Sequence, residues 1–168
     1  MIAATFSVKA QDGKPTKEQT LNYLTKTLKL TEGEIVINKG VNKCLNEVNE
    51  FSENKIITKE KYYDWLQYRQ DISYNYIILS DLKWEDVISI KLISYNQINN
   101  GYSYSSDNLE IIIVQFSSKF KKNQDDYPTF FSDELQISVI KSKAESFKKA
   151  LERLVEIAKE ENKNPFEK

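Results

Sequence analysis

Histidine is missing from all 168 residues, and cysteine occurs once, as Cys44. The first absence removes the side chain that most often acts as a general base near neutral pH and most often ligates transition metals. Ser-His-Asp and Cys-His catalysis are therefore excluded within the chain. A single cysteine can form neither an intrachain disulfide nor a cysteine zinc site. With no histidine to activate its thiol, Cys44 reads as a small buried apolar residue. Glycine (4) and proline (3) are scarce as well, and no Gly-rich phosphate loop, EF-hand or CxxC motif occurs. No apolar run approaches the roughly 20 residues that a bilayer-crossing helix needs. Neither sign of charge dominates: 24 basic and 25 acidic side chains, well mixed, leave a net charge of -1. There is no global field to gather phosphate backbones or anionic lipid, so non-specific nucleic-acid binding is disfavoured.

What is present is the composition of an ordered globular protein. Hydrophobic residues make up 40% and charged residues 29%, with 10 Tyr and 8 Phe, enough to fill a core without disulfides or metals. Residues 12–168 suit a single domain. Residues 1–11 read either as the tail of an export signal or as an N-terminal arm. Met1 to Val8 is apolar and small, and Val8-Lys9-Ala10 before Gln11 resembles a signal-peptidase site, although no basic segment precedes it. The export reading places the protein in the periplasm or outside the cell, and the arm reading leaves it in the cytoplasm.

The order of elements can be followed from the hydrophobic period. Pro15-Thr16 with Gln19 three residues on is a helix start, and Leu21, Leu24 and Leu28 share one face before Gly33, which predicts a helix over 16–30. Strands are expected over 34–39 and 44–51, with Ser52 to Asn54 as a turn. From Ile56 to Arg69 the pattern fits either a helix or a strand, and the aromatics there favour strands. Ser80 to Asp86 interrupts, Val87 to Tyr95 resumes as strand, and Asn99-Asn100-Gly101 turns. Leu109 to Phe116 is almost continuously apolar and should be the most buried strand. Ser117 to Pro128 reads as a polar excursion, and Thr129 to Lys141 as the last strand, in which Leu135, Ile137 and Val139 alternate with Gln136 and Ser138. Ser142 with Glu145 reads as the capping box of a final helix. Its face would be Phe147, Leu151, Leu154 and Ala158, with Ala150, Val155 and Ile157 beside them. Helix, strand run, helix is an α+β order with an antiparallel sheet.

The passage of the strand Glu134 to Lys141 straight into the helix Ala144 to Glu161, after a hairpin from Leu109, resembles the pleckstrin-homology-like superfold. The resemblance implies a bent antiparallel barrel over about 34–163 with its open end plugged by the C-terminal helix, here with an added N-terminal helix. With the signal-like N-terminus, the chain is similar to small exported bacterial proteins of uncharacterised function. The resemblance carries no activity. Phosphoinositide-binding members cluster basic residues in the first hairpin, and beyond Lys39 and Lys43 no such cluster follows here.

Two stretches are candidate ligand contacts. Tyr62, Tyr63, Asp64 and Trp65, with Tyr68 beyond, combine aromatic faces that stack on the C–H surface of sugar rings with a carboxylate that accepts hydroxyl hydrogen bonds; core and cross-strand packing would use the same residues. Tyr102 and Tyr104 lie in a Tyr/Ser/Gly-rich loop, the vocabulary of adaptable binding loops and equally of a solvated hairpin. Lys119, Lys121 and Lys122 around Phe120 form a small basic and apolar patch, which Asp125 and Asp126 largely offset. The pairs Glu85-Asp86, Asp125-Asp126 and Asp133-Glu134 could serve as acid and base only if folding joined two of them in a cleft. The expectation is a non-enzymatic binding or scaffold domain with no cofactor and no metal, taking an unknown protein or small ligand, with an envelope component among the candidates. A carboxylate-dependent hydrolase and a subunit of a cell-envelope assembly are the alternatives.

Overall fold

The structure, a computed structural model, describes residues 13–38, 42–64, 72–95, 104–124 and 128–163. Helix α1 (Lys17–Lys29) starts as its sequence dictates. The Thr16 hydroxyl accepts a hydrogen bond from the Gln19 N–H, and the Gln19 side chain accepts one from the Thr16 N–H, a reciprocal capping box. Leu24 and Leu28 are buried and Leu21 is half-buried, so the expected face is the packed one. The helix ends at Lys29, a full turn before the glycine. Gly33 then adopts φ 88°, a conformation that L side chains resist, and redirects the chain into β1 (Ile35–Asn38).

Seven further strands follow: β2 (Asn42–Phe51), β3 (Lys55–Asp64), β4 (Ile72–Ser80), β5 (Val87–Ser94), β6 (Tyr104–Ser105), β7 (Leu109–Gln124) and β8 (Phe130–Ile140). All pairings are antiparallel, in the order β5-β7-β4-β3-β2-β1-β6, with β8 on the other side of β7. The sheet is strongly curled into a half-barrel, and with the two helices it makes an α+β fold. The strand reading of the ambiguous segment from Ile56 holds through Asp64; the rest of it lies outside the described residues.

Strand β7 organises the molecule. Its first half pairs with β5 and its last residues with β4, while β8 runs along the opposite edge. The alternate residues of its first half enter two different cores. Ile112, Val114 and Phe116 join Leu135, Ile137 and Val139 of β8 and the helices, whereas Leu109 and Ile111 join Val36 and Tyr95. Burial on both faces explains why this strand reads as continuous hydrophobic sequence. The polar excursion expected after Phe116 is instead the continuation of the strand to Gln124. There the strand leaves the interior and becomes amphipathic, with Phe120 buried between exposed Lys119 and Lys121.

Helix α2 (Ala144–Glu161) buries Phe147, Leu151, Leu154, Val155 and Ile157, the face that the sequence indicates. Its start differs from expectation. A 3₁₀ turn over Lys141–Lys143 links it to β8, Lys143 is the N-cap, and no side chain caps the helix. Ser142 lies inside that turn, one position too early to act as the cap. A second 3₁₀ turn, Trp84–Asp86, seats Trp84 against Phe51 and Phe116 at ring separations of 5.6 and 5.8 Å. Its indole N–H donates to the Glu53 carbonyl at 2.6 Å, which satisfies the one polar atom of a side chain only 2% exposed. The helices are tied together at their far ends. Lys17 binds Glu53 and, at 2.6 Å, Glu161, and these two carboxylates hold the Lys17 ammonium above its ordinary pKa, with Glu161 the larger cause.

Candidate functional site

The β-register decides which of the candidate residues meet. In β3 the even-numbered residues share one face, and their partners on β4 share it with them: Ile56 with Leu79, Thr58 with Ile77, Glu60 with Asn75, Tyr62 with Ser73. On β2 the same face receives Phe51, Asn46 opposite Glu60, Cys44 opposite Tyr62, and Asn42 opposite Asp64. Cys44 is in turn opposite Val36, and Asn38, two residues on, is opposite Tyr104 of β6. Phe51, Ile56 and Leu79 of this face are buried in the core beneath the helices, and Val36 in the second core with Tyr95, Leu109 and Ile111.

Along this one face the chemistry changes. Near the β2–β3 turn and the helices it is Phe51, Ile56, Ile77 and Leu79. Toward the other end the register places Glu60, Asn75, Asn46, Tyr62, Ser73, Asp64, Asn42, Asn38 and Tyr104, with Cys44 and the buried Val36 among them. A sheet face that serves only as core stays apolar, because an unpaired polar group removed from water costs on the order of 2–7 kcal/mol. Among the described residues of β1 to β4 and β6, no lysine or arginine of the polar end is in register on this face. Lys43, Lys59 and Lys61 all fall on the opposite one, together with Tyr63. The topology thus brings Tyr62 and Asp64 to the same end and the same face as Tyr104, which is about 40 residues later in sequence. Trp65 and Tyr102 lie outside the described residues, as do Tyr68, Asp125 and Asp126, and so do the side chains of Cys44, Tyr62, Tyr63, Asp64 and Tyr104, for which the register gives the face and nothing more.

A second concavity, a groove of about 590 Å³, runs between α1 and α2, lined among others by Lys14, Tyr23, Lys149, Glu152, Arg153 and Glu156. Its two carboxylates are engaged by cations. Glu152 meets Lys148 at 3.6 Å, and Glu156 meets Arg153 at 3.0 Å and Lys14 at 3.7 Å. The hydrogen bond from Arg153, aided by Lys14, holds the Glu156 carboxyl below its usual range. Of the paired carboxylates in the sequence, Glu85 and Asp86 sit half-buried on the 3₁₀ turn, and Asp133 and Glu134 are exposed on β8.

A third feature is an aromatic pair on β8, whose pairing partner among the described residues is β7. Phe130 is 42% and Phe131 59% exposed, and the Lys122 ammonium lies 5.3 Å from the centre of the Phe130 ring. The basic and apolar patch expected around Phe120 is redistributed: Phe120 is buried, and Lys121 is bound to Asp81 at 2.8 Å. Neither the polar end of the concave face nor this aromatic pair is found by scanning for motifs. The first is visible in sequence only as the alternation Glu60, Tyr62, Asp64 across from Asn75 and Ser73, and it becomes a site once the register is known.

No family model, curated protein or solved structure matches this chain. Among the described residues, no helix is long and apolar enough to cross a membrane.

Proposed function

We propose that this protein is a non-enzymatic binding domain that takes its ligand at the end of the sheet face to which the register assigns Tyr62, Asp64 and Tyr104. One observation carries this reading: by register, the face of the β1–β4 sheet that holds the core residues Phe51, Ile56 and Leu79 also holds Tyr62, Asp64, Ser73, Asn75 and Tyr104 toward its other end. A concave, scaffold-mounted surface of this composition is suited to recognition.

The curled antiparallel sheet followed by a terminal helix is compatible with the pleckstrin-homology-like superfold, and we assign it there as an architecture without inherited activity. The Val8-Lys9-Ala10 sequence supports export. The exposed Phe130 and Phe131 on the edge of β8 favour a second reading, a subunit of an envelope assembly. Affinity capture from the native envelope fraction distinguishes the two. Loss of the captured species in Asp64→Ala with Tyr62→Ala supports the end-of-barrel site. Loss only in Phe131→Ser supports the assembly surface. Capture unchanged by either set rejects both.

A further inference from the structure

The outermost strands of a sheet carry backbone groups that no neighbouring strand satisfies, and proteins guard them with brevity, bulges, charges or proline. Among the described residues, β6, β5 and β8 are outermost. β6 is two residues long. β5 has a register shift between Val87 and Ser89 and carries Lys91 along its length. β8 has none of these guards over its second half. From Leu135 to Ile140 it contains no charge and no proline, and its register against β7 is unbroken. The hydrogen bonds at either end show which way its backbone points. The Lys141 N–H donates to the Asn108 carbonyl at 2.8 Å, so residues 135, 137 and 139 bond across to β7, while Glu134, Gln136, Ser138 and Ile140 turn their backbone groups away from it. The Asp133 carbonyl, which by this alternation faces β7, accepts a bond from the Gln115 side chain. At Glu134 the outward pair is closed locally: the Ser132 hydroxyl donates to its carbonyl at 2.9 Å and accepts from its N–H at 3.2 Å. Beyond that cap, Gln136 and Ser138 present backbone groups that can extend the sheet. The edge also has opposite charges at its two ends, with exposed Asp133 and Glu134 at one and exposed Lys141 and Lys143 at the other. An antiparallel strand of the same sequence would meet opposite charge at both ends, and a parallel one would meet like charge.

We propose that β8 is a self-association edge, at which two copies of this chain pair β8 to β8, antiparallel, about a two-fold axis at Ile137. In that register Gln136 faces the partner's Ser138, and each such pair exchanges both of its backbone hydrogen bonds. Asp133 lies opposite the partner's Lys141, and the two-fold axis repeats every contact. The sheet then runs from β7 through both copies of β8 to the second β7. This inference rests on the backbone edge and on neither reading above.

The test is sedimentation equilibrium of the full chain from micromolar to millimolar concentration. The expected result is a reversible monomer–dimer equilibrium. Gln136→Pro removes an N–H that points away from β7, so the ladder to β7 is kept while the dimer loses a bond on each side of the axis. Its dimer should be weaker by about tenfold or more, with circular dichroism and Tm showing that the variant is folded. Asp133→Lys should also weaken the dimer, and Asp133→Lys combined with Lys141→Asp should restore it, a comparison that stands even if the proline variant does not fold. A chain that is monomeric at every concentration would overturn the proposal and leave the edge to a strand of another protein. A dimer indifferent to Gln136→Pro in a folded variant, or one that the exchanged charge pair fails to restore, would overturn it as well.

Discussion

Replacing Leu151 with alanine tests how α2 holds the domain together. Leu151 is 0% exposed and belongs to the cluster that joins the helices to β5, β7 and β8. Truncation removes three buried carbons, about 2.4 kcal/mol at roughly 0.8 kcal/mol per methylene. A cavity term is added wherever the surroundings cannot close in, which brings the expected loss to about 2–5 kcal/mol. For a domain of this size each kcal/mol lowers Tm by about 2–4 °C, so a drop on the order of 5–20 °C is expected. Lys148→Ala removes only a partly exposed ion pair with Glu152 at 3.6 Å and should change stability by no more than about 0.5 kcal/mol. Urea unfolding followed by circular dichroism gives both values on one scale. A Leu151→Ala loss below about 1 kcal/mol, or equal losses in the two variants, would refute the packed face assigned to α2.

Thr16→Ala should cost about 1 kcal/mol by removing the hydroxyl half of the α1 capping box, read from the same unfolding curves; no loss would mean that the cap is dispensable. Gly33→Ala meets no atom within 4 Å, so any loss reports the φ of 88° alone. About 1–2 kcal/mol is expected there, against none at Gly13, which is equally open and has no such φ. Because its two carboxylates raise the Lys17 pKa in the folded state, the stabilisation they give is fully present below the unfolded value of 10.5 and is lost as pH rises through the folded value. The stability difference between wild type and Lys17→Met should therefore shrink on raising the pH above that range, and a constant difference would exclude a role for the charge. EDTA should leave Tm unchanged, since no group of three or more metal-ligating side chains gathers among the described residues; a sharp drop would point to an oxygen-ligated cation.

The helices and the α+β order were legible in the sequence because each rests on local rules. Thr16 with Gln19 caps α1 through its own turn, and the period of Phe147, Leu151 and Leu154 marks the buried side of α2. The start of α2 was misleading because Ser142 satisfies the local pattern while the chain needs a 3₁₀ turn to leave β8. The second half of β7 was hidden for a different reason. Ser117, Lys119 and Lys121 are polar because that part of the strand is solvated on one side, and only the pairing with β4 and β8 makes it sheet. The candidate site was half visible. Tyr62, Asp64 and Tyr104 stand out by composition, but their common face depends on the pairing of β1 with both β2 and β6, a long-range fact that no local window contains.

The meeting of α1 with α2 bears on how the molecule can be made. Lys17 and Glu161, 144 positions apart, are bound to each other, and the Arg153 side chain donates to the Pro15 carbonyl across a separation of 138. The earliest and latest of these elements are thus partners, and β7, which bridges β4 to β5, is among the last strands to be synthesised. Leu24 and Leu28 have no completed surface to occupy until β7, β8 and α2 have left the ribosome. Such non-local closure is slow and exposes apolar surface while it waits. Chains arrested before α2 should therefore be captured by holdases and degraded, rather than persist as a partly folded N-terminal unit.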